Sequence, residues 1–147
     1  MKAENQKDRF QVAVDYLSEY SGVKIALVFD KEGLVVAQNS PSAIDGEPIA
    51  AIGLEFLKVN NEYAKQLVGP GCEAISLKTD KDWIVLADSG EFYLFVLAER
   101  RVDDLLSVRV QRSVEMITNY VDKKYPELNS SNKPNTPVAK KVEATHV

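Results

Sequence analysis

Histidine and cysteine are almost missing from this chain. Among its 147 residues one is cysteine, Cys72, and one is histidine, His146. A single thiol builds no internal disulfide framework and no multi-cysteine metal site. A single imidazole at the penultimate position builds no His-based triad and no His-rich metal cluster. Long apolar runs are missing as well, and none approaches the roughly 20 residues that span a bilayer. The opening Met1-Lys2-Ala3-Glu4-Asn5-Gln6 is polar and lacks a signal-peptide core. These absences lead us to expect a cytoplasmic protein with no membrane partner, no metal and no cofactor.

The composition that remains, 45% hydrophobic and 27% charged, is that of an ordinary globular domain, and the length suits one. The net charge is −4. Beyond Lys124, Lys133, Lys140 and Lys141 stand against Glu127 and Glu143, so that segment is +1 and the preceding residues carry −5. An acidic domain argues against a nucleic acid as the main partner. Residues 125–147 hold Pro126, Pro134 and Pro137 with Ser and Asn and no large apolar cluster. They read as a disordered polar tail behind a domain spanning 1–124.

Apolar spacing sets the elements. Phe10, Ala13, Leu17 and Tyr20 share one face of a helix over 4–21, with Gly22 placed to end it. Val23 to Asp30 and Leu34 to Gln38 read as a hairpin around Lys31-Glu32-Gly33. A helix opens near Pro48 and runs to Val68, where Gly69-Pro70-Gly71 stops it. Three strands follow: Cys72 to Lys78, Trp83 to Asp88 and Phe92 to Glu99. A last helix spans Val102 to Lys124, with Val102, Leu106, Val110, Ile117 and Val121 on one stripe. The fold class is therefore α/β (α+β), in the order α-ββ-α-βββ-α.

Two strands are apolar on both faces and belong at the centre of the sheet. In the first, Val23, Ile25, Leu27 and Phe29 alternate with Ala26 and Val28. In the fifth, Phe92, Leu94 and Val96 alternate with Tyr93, Phe95 and Leu97. The sheet is then five-stranded, mostly antiparallel, ordered 2-1-5-4-3, with helices on both faces.

The middle helix is the most informative segment. Its apolar residues, including Ile49, Ile52, Gly53, Phe56, Tyr63 and Leu67, cover roughly half the circumference, wider than a surface helix shows. Its own sheet covers only part of that arc, and a second copy of the helix is the expected cover for the rest. Asn60 lies within the arc. It either bonds across a dimer and fixes register, or bonds within its own chain, and the second is favoured. Gly53 allows close approach of a neighbour. On the outermost strand, Glu73, Ile75, Leu77 and Thr79 share a face, and no proline blocks the edge. Pairing two such edges makes one continuous sheet.

Catalytic constellations are absent. Cys72 has no neighbouring histidine to activate it and reads as a structural thiol near a dimer axis. Asp30 with Glu32 and Asp80 with Asp82 are turn carboxylates. Gly69-Pro70-Gly71 is not a phosphate-binding loop, because no Lys-Ser/Thr follows it. Trp83 and Tyr93 read as strand aromatics packed under helices before they read as interface hot spots.

Three segments carry a resemblance. They are Ala26-Leu27-Val28-Phe29-Asp30-Lys31-Glu32-Gly33-Leu34-Val35-Val36-Ala37, the small-residue run Ile49-Ala50-Ala51-Ile52, and Phe92-Tyr93-Leu94-Phe95-Val96-Leu97-Ala98 before a final helix. In this element order the chain resembles the roadblock/dynein light chain family, its bacterial MglB-like members in particular, over residues 5–124. It departs from many members after the last strand, where Asp104-Leu105-Leu106 replaces a phrase with glycine. The resemblance implies a non-enzymatic adaptor: a homodimer, or a heterodimer with a paralogue, that binds and regulates a Ras-like small GTPase. It also implies a ten-stranded sheet with two antiparallel central helices on one face. Arg100 and Arg101 are then candidate partner contacts. An arginine supplied in trans speeds GTP hydrolysis, but a surface ion pair with Asp103 or Asp104 is the commoner role. The alternatives are a profilin-like or PAS-like ligand-sensing domain, which needs an inward pocket with polar groups, and a dimeric scaffold without a GTPase.

Overall fold

The computed structural model describes residues 8–124. The elements are α1 (Arg9–Ser18), β1 (Val23–Asp30), β2 (Val35–Asn39), α2 (Gly46–Val68), β3 (Ala74–Lys78), β4 (Asp82–Asp88), β5 (Phe92–Glu99) and α3 (Leu105–Lys124). The five strands form one sheet in the order β2-β1-β5-β4-β3, every neighbouring pair antiparallel. This is the order expected from the doubly apolar strands. Residues 4–7 of the expected first helix, the 125–147 tail and His146 lie outside the described residues.

The sheet separates two apolar layers. Beneath α1 and α3 lie Ala26, Val28, Trp83, Val85, Leu94 and Val96, meeting Phe10, Val14, Leu17, Leu106 and Ile117. Beneath α2 lie Ile25, Leu27, Phe29, Leu86 and Phe95, meeting Ala50 and Leu57. Phe92, Leu94 and Val96 fall on the first face and Tyr93, Phe95 and Leu97 on the second, as their alternation requires. Val23 does not follow its alternation. It packs with Ala26 and Val28 and not with Ile25 and Leu27. The β1–β5 register shifts between Val23 and Ile25, and an extra residue in one strand reverses the faces on either side of it.

Local chemistry moves several element ends. Asp8 caps α1 by accepting the Phe10 N–H at 2.9 Å. The helix stops at Ser18, before Tyr20, and Glu19 is its C-cap. Gly22, at φ +99°, turns the chain into β1. Helix α3 starts at Leu105 and not at Val102, because Asp103 Oδ1 accepts the Leu105 N–H at 3.1 Å. Strand β2 begins one residue late, since the Asp30 carboxylate holds the N–H groups of Glu32 and Leu34 in the turn. Strand β3 begins at Ala74 and not Cys72, because the Cys72 N–H is taken by Asn61 Oδ1 of α2 at 2.9 Å.

The ends of α1 and α3 are tied together. The Arg109 guanidinium lies 4.6 Å from the Tyr16 ring centre and 4.9 Å from that of Tyr20, and donates to the Tyr16 carbonyl at 2.9 Å. The Tyr20 hydroxyl donates to Asp103, which raises the pKa of the phenol; nearby Arg109 acts in the opposite sense. Deeper in, the Ser113 hydroxyl, fully buried, donates to the Ala13 carbonyl at 3.3 Å.

Gly22 gives the sharpest test of this packing. A methyl group there meets Val102 Cγ2 at 2.4 Å, on a backbone already in the left-handed region. Gly22→Ala is expected to lower unfolding free energy by more than about 2 kcal/mol in urea titration.

Candidate functional site

Helix α2 carries the chain from the β2 edge of the sheet to the β3 edge. Asp45 caps it, accepting the Glu47 N–H at 3.1 Å. Ala50, Gly53 and Leu57 are buried against the sheet. Along the next stripe, Ile52 is 70% exposed, Tyr63 58% and Leu67 81%, with Val59 and Val68 also exposed. Beside that stripe runs a groove of about 300 Å³ lined entirely by apolar residues, with Ile49, Ile52, Gly53 and Phe56 on the helix and Leu77, Ile84, Leu86 and Phe95 on the strands. An apolar groove continuous with exposed apolar helix surface marks an interaction site.

The expected interface residues divide around this groove. Ile49, Ile52, Phe56 and Leu77 line it. Ile75 lies on the same face of the sheet, half-buried against the apolar layer there. Tyr63 and Leu67 extend the stripe beyond the groove. Glu73 is exposed just ahead of β3. Gly53 turns toward its own sheet, where a Cβ falls 3.4 Å from Phe29 and 3.5 Å from Leu86. Asn60 is satisfied within its own helix, its amide donating to the Phe56 carbonyl at 2.8 Å.

The two edges of the sheet differ. On β2, Gln11 donates to the Gln38 carbonyl at 3.0 Å, Ser18 donates to the Asn39 carbonyl at 3.1 Å, and the Asn39 amide donates to Asp15 at 2.9 Å. Polar side chains of α1 therefore guard that edge. On β3, among the described residues, β4 is the only strand that pairs with the backbone, and the Cys72 thiol donates to the Ala74 carbonyl at 4.0 Å. Its inner side is well anchored. Trp83, buried, donates its indole N–H to the Ser76 hydroxyl at 2.8 Å, and Lys78 Nζ lies 4.4 Å from the Trp83 ring centre.

The remaining polar candidates are held locally. Arg100 donates to the Thr79 carbonyl at 2.9 Å, and exposed Arg101 pairs with Glu99. Neither bonds Asp103 or Asp104 as expected, because Asp103 is engaged by Tyr20 and the Leu105 N–H. Asp82 pairs with Lys24 at 2.7 Å. Tyr93 packs on Phe29, ring centres 5.5 Å apart. Cys72, half-buried, sits in the loop before β3. Among the described residues no three His, Cys, Asp or Glu side chains group as metal ligands, and no helix is long and apolar enough to cross a membrane. Sequence reading missed Asn61, which ties α2 to the start of β3. Its only signal is a polar residue about two helical turns ahead of the Gly-Pro-Gly stop.

Comparison with known proteins places this geometry. The Roadblock/LC7 domain family model matches residues 10–98, more than half of the chain. The uncharacterized protein MJ1340 of Methanocaldococcus jannaschii is 26% identical over 102 residues, covering 69% of this chain and 90% of its own length. Among solved structures, Myxococcus xanthus MglB superposes with a TM-score of 0.73 at 17% identity, over 78% of this chain and 89% of that one. A structure described as MglB with tetrameric arrangement gives 0.70 at 16% identity, over 80% and 93%. At such identities the likeness is one of fold.

Because a Cβ at Gly53 meets Phe29 and Leu86 at ordinary van der Waals distance, Gly53→Ala is expected to be tolerated. The gain in helix propensity, up to about 1 kcal/mol, is to be read as a raised urea midpoint. Asn61→Ala, which strands the Cys72 N–H, is expected to cost about 1 kcal/mol in the same titration.

Proposed function

This chain belongs to the Roadblock/LC7 domain family, and we propose that it acts as a non-enzymatic, cytoplasmic adaptor: a dimer that binds and regulates a Ras-like small GTPase. The observation that carries this reading is the apolar groove between α2 and the outer strands, with Ile52 standing exposed on its rim. Covering that groove removes apolar surface from water at about 25 cal/mol per Å². A second roadblock domain, from another copy or a paralogue, brings a matching groove and a matching strand edge. Ile49, Ile52, Phe56, Tyr63, Leu67, Ile75 and Leu77 then form the interface, with Glu73 at its rim and Gly53 supporting it from the sheet side.

The GTPase assignment rests on the family resemblance of the first hairpin and of the helix–sheet order. Regulation works through differential affinity for the two nucleotide states, since equal affinity shifts nothing. Arg100 lies at the β3–β4 turn and Arg101 follows it, and both offer charge to a partner, but Arg100 is already engaged with a backbone carbonyl. They are contacts in this reading and not catalytic groups. A profilin-like ligand sensor is less well supported, because the groove has no convergent polar groups to orient a small molecule.

Three experiments test the reading. Phe56→Asp or Ile52→Asp is expected to convert a dimer to a folded monomer in light scattering; an unchanged mass removes the groove as the interface. Affinity capture with the tagged protein, once with a non-hydrolysable GTP analogue and once with GDP, is expected to retain a small GTPase in one nucleotide state only. Arg100→Ala with Arg101→Ala is expected to weaken that capture while leaving turnover by the bound GTPase unchanged, and a loss of turnover assigns them to the reaction.

A further inference from the structure

Across the sheet from the α2 groove lies a second recess of different chemistry. Helices α1 and α3 run antiparallel: Phe10 meets Tyr120 at one end, ring centres 4.9 Å apart, and Tyr16 meets Arg109 at the other. Where α1 begins and α3 nears its end, the helices part around a cleft of about 430 Å³. Arg9 lines it from α1, and Met116, Asn119, Tyr120 and Lys123 line it from α3. Met116, Asn119 and Lys123 follow at three- and four-residue steps, so one flank of α3 supplies that wall. Two cations face the cleft and no carboxylate does, although residues 1–124 sum to −5.

The cleft continues along α3. At the same steps its flank runs back through Arg112 to Leu105, which is 57% exposed. The distance from Leu105 to Lys123 along the axis is about 27 Å. Leu105, Arg112, Met116 and Lys123 thus alternate apolar and basic groups on one line. Arg9, Arg112 and Lys123 pair with no carboxylate among the described residues, whereas Lys24 holds Asp82 and Arg101 holds Glu99. Asp8, next to Arg9 in the chain, is spent on the Phe10 N–H. Lys124 donates to the Tyr120 hydroxyl at 2.9 Å and so sets a third ammonium at the edge of the cleft.

We propose that this flank docks a short acidic segment of a partner protein. Its carboxylates meet Arg112 at one point and Arg9 with Lys123 at another, and an apolar side chain between them sits on Met116. Arg112 and Lys123 are roughly 16 Å apart along the helix, which an extended chain spans in about five residues. Charge also decides against a broad anionic surface such as a membrane. Asp104, Glu115 and Asp122 share the outward face of α3, exposed beside the basic flank, and a flat array of like charge meets that row first. A narrow chain lying in the cleft does not. The proposal goes beyond the dimeric reading and does not rest on it, because the cleft and the α2 groove lie on opposite faces of the sheet. With both filled, one domain holds two other proteins.

Fluorescence anisotropy on the full chain tests this with a labelled peptide of three Glu-Gly-Leu-Gly-Ser repeats, whose acids stand five residues apart. Saturable binding is expected at low salt, weakening as salt rises. The same peptide with Gln for every Glu is expected not to bind. Arg9→Gln with Lys123→Gln is expected to weaken binding about fivefold, the effect of two exposed ion pairs, with the urea midpoint unchanged. Lys58→Gln with Lys65→Gln, which removes equal charge from α2, is expected to leave binding as it was. No saturable binding overturns the proposal, and so does equal weakening by the two pairs of substitutions. Tighter peptide binding by Glu4→Gln or Glu127→Gln assigns the cleft to the chain's own terminal segments and overturns it too. Retention on phosphatidylserine vesicles that Arg9→Gln with Lys123→Gln abolishes replaces the protein partner with a membrane. A fall in mass by light scattering when peptide is added replaces it with a second copy.

Discussion

One α-helix is too narrow for the face it has to cover. With its side chains a helix is about 10 Å across, which shields roughly two strands spaced by about 4.8 Å. The sheet has five strands, and its two faces receive unequal cover. Helices α1 and α3 share one face and seal it with Phe10, Leu17, Leu106 and Ile117. Among the described residues helix α2 has the other face alone, and it is also the crossover that carries the chain from one sheet edge to the opposite one. The exposure of Leu77 and the partial exposure of Ile84, beside buried Leu86 and Phe95, follow from that two-against-one arrangement. So does the exposed flank of α2, which has apolar residues for a neighbour that the described residues do not supply.

The parts of this fold that repeat were legible in the sequence. The alternation of Phe92 to Leu97 identified a strand covered on both sides, and with β1 it fixed the strand order. The width of the apolar arc on α2 announced that one sheet was not enough. What stayed hidden were events that break a period or join distant polar atoms. The shift between Val23 and Ile25 adds one residue to one strand, and no residue type signals it. Asn61 reaching Cys72, and Gln11 reaching Gln38, join segments whose approach is set only by the finished fold. The Asp103 cap was hidden for a related reason. Val102 is buried at the right phase for the α3 stripe, so apolar spacing alone extended the helix too far.

The polar chemistry of the domain is spent on shape. Asp30 holds a hairpin turn, Asp45 and Asp103 start helices, and Ser113 and Arg109 dock α3 on α1. Each of these groups is occupied with backbone or with an aromatic ring, and none converges on an empty space where a small molecule could react. The unfilled capacity of the domain lies in apolar side chains and unpaired strand backbone, both of which are satisfied by another protein surface. This is the physical sense in which the fold suits an adaptor.

The inequality of the sheet edges has a consequence for the size of what this protein builds. A sheet open at both ends adds copies without limit, and the product is a fibre. Here Gln11, Ser18 and Asp15 of α1 occupy the β2 side, while β3 is left bare. A second copy joined through β3 turns its own guarded side outward at both ends of the enlarged sheet. Growth then ends after one addition, and the object that results is closed and countable. In the dimer proposed above, three side chains on the first helix, remote from the groove, would thereby limit the assembly to two copies.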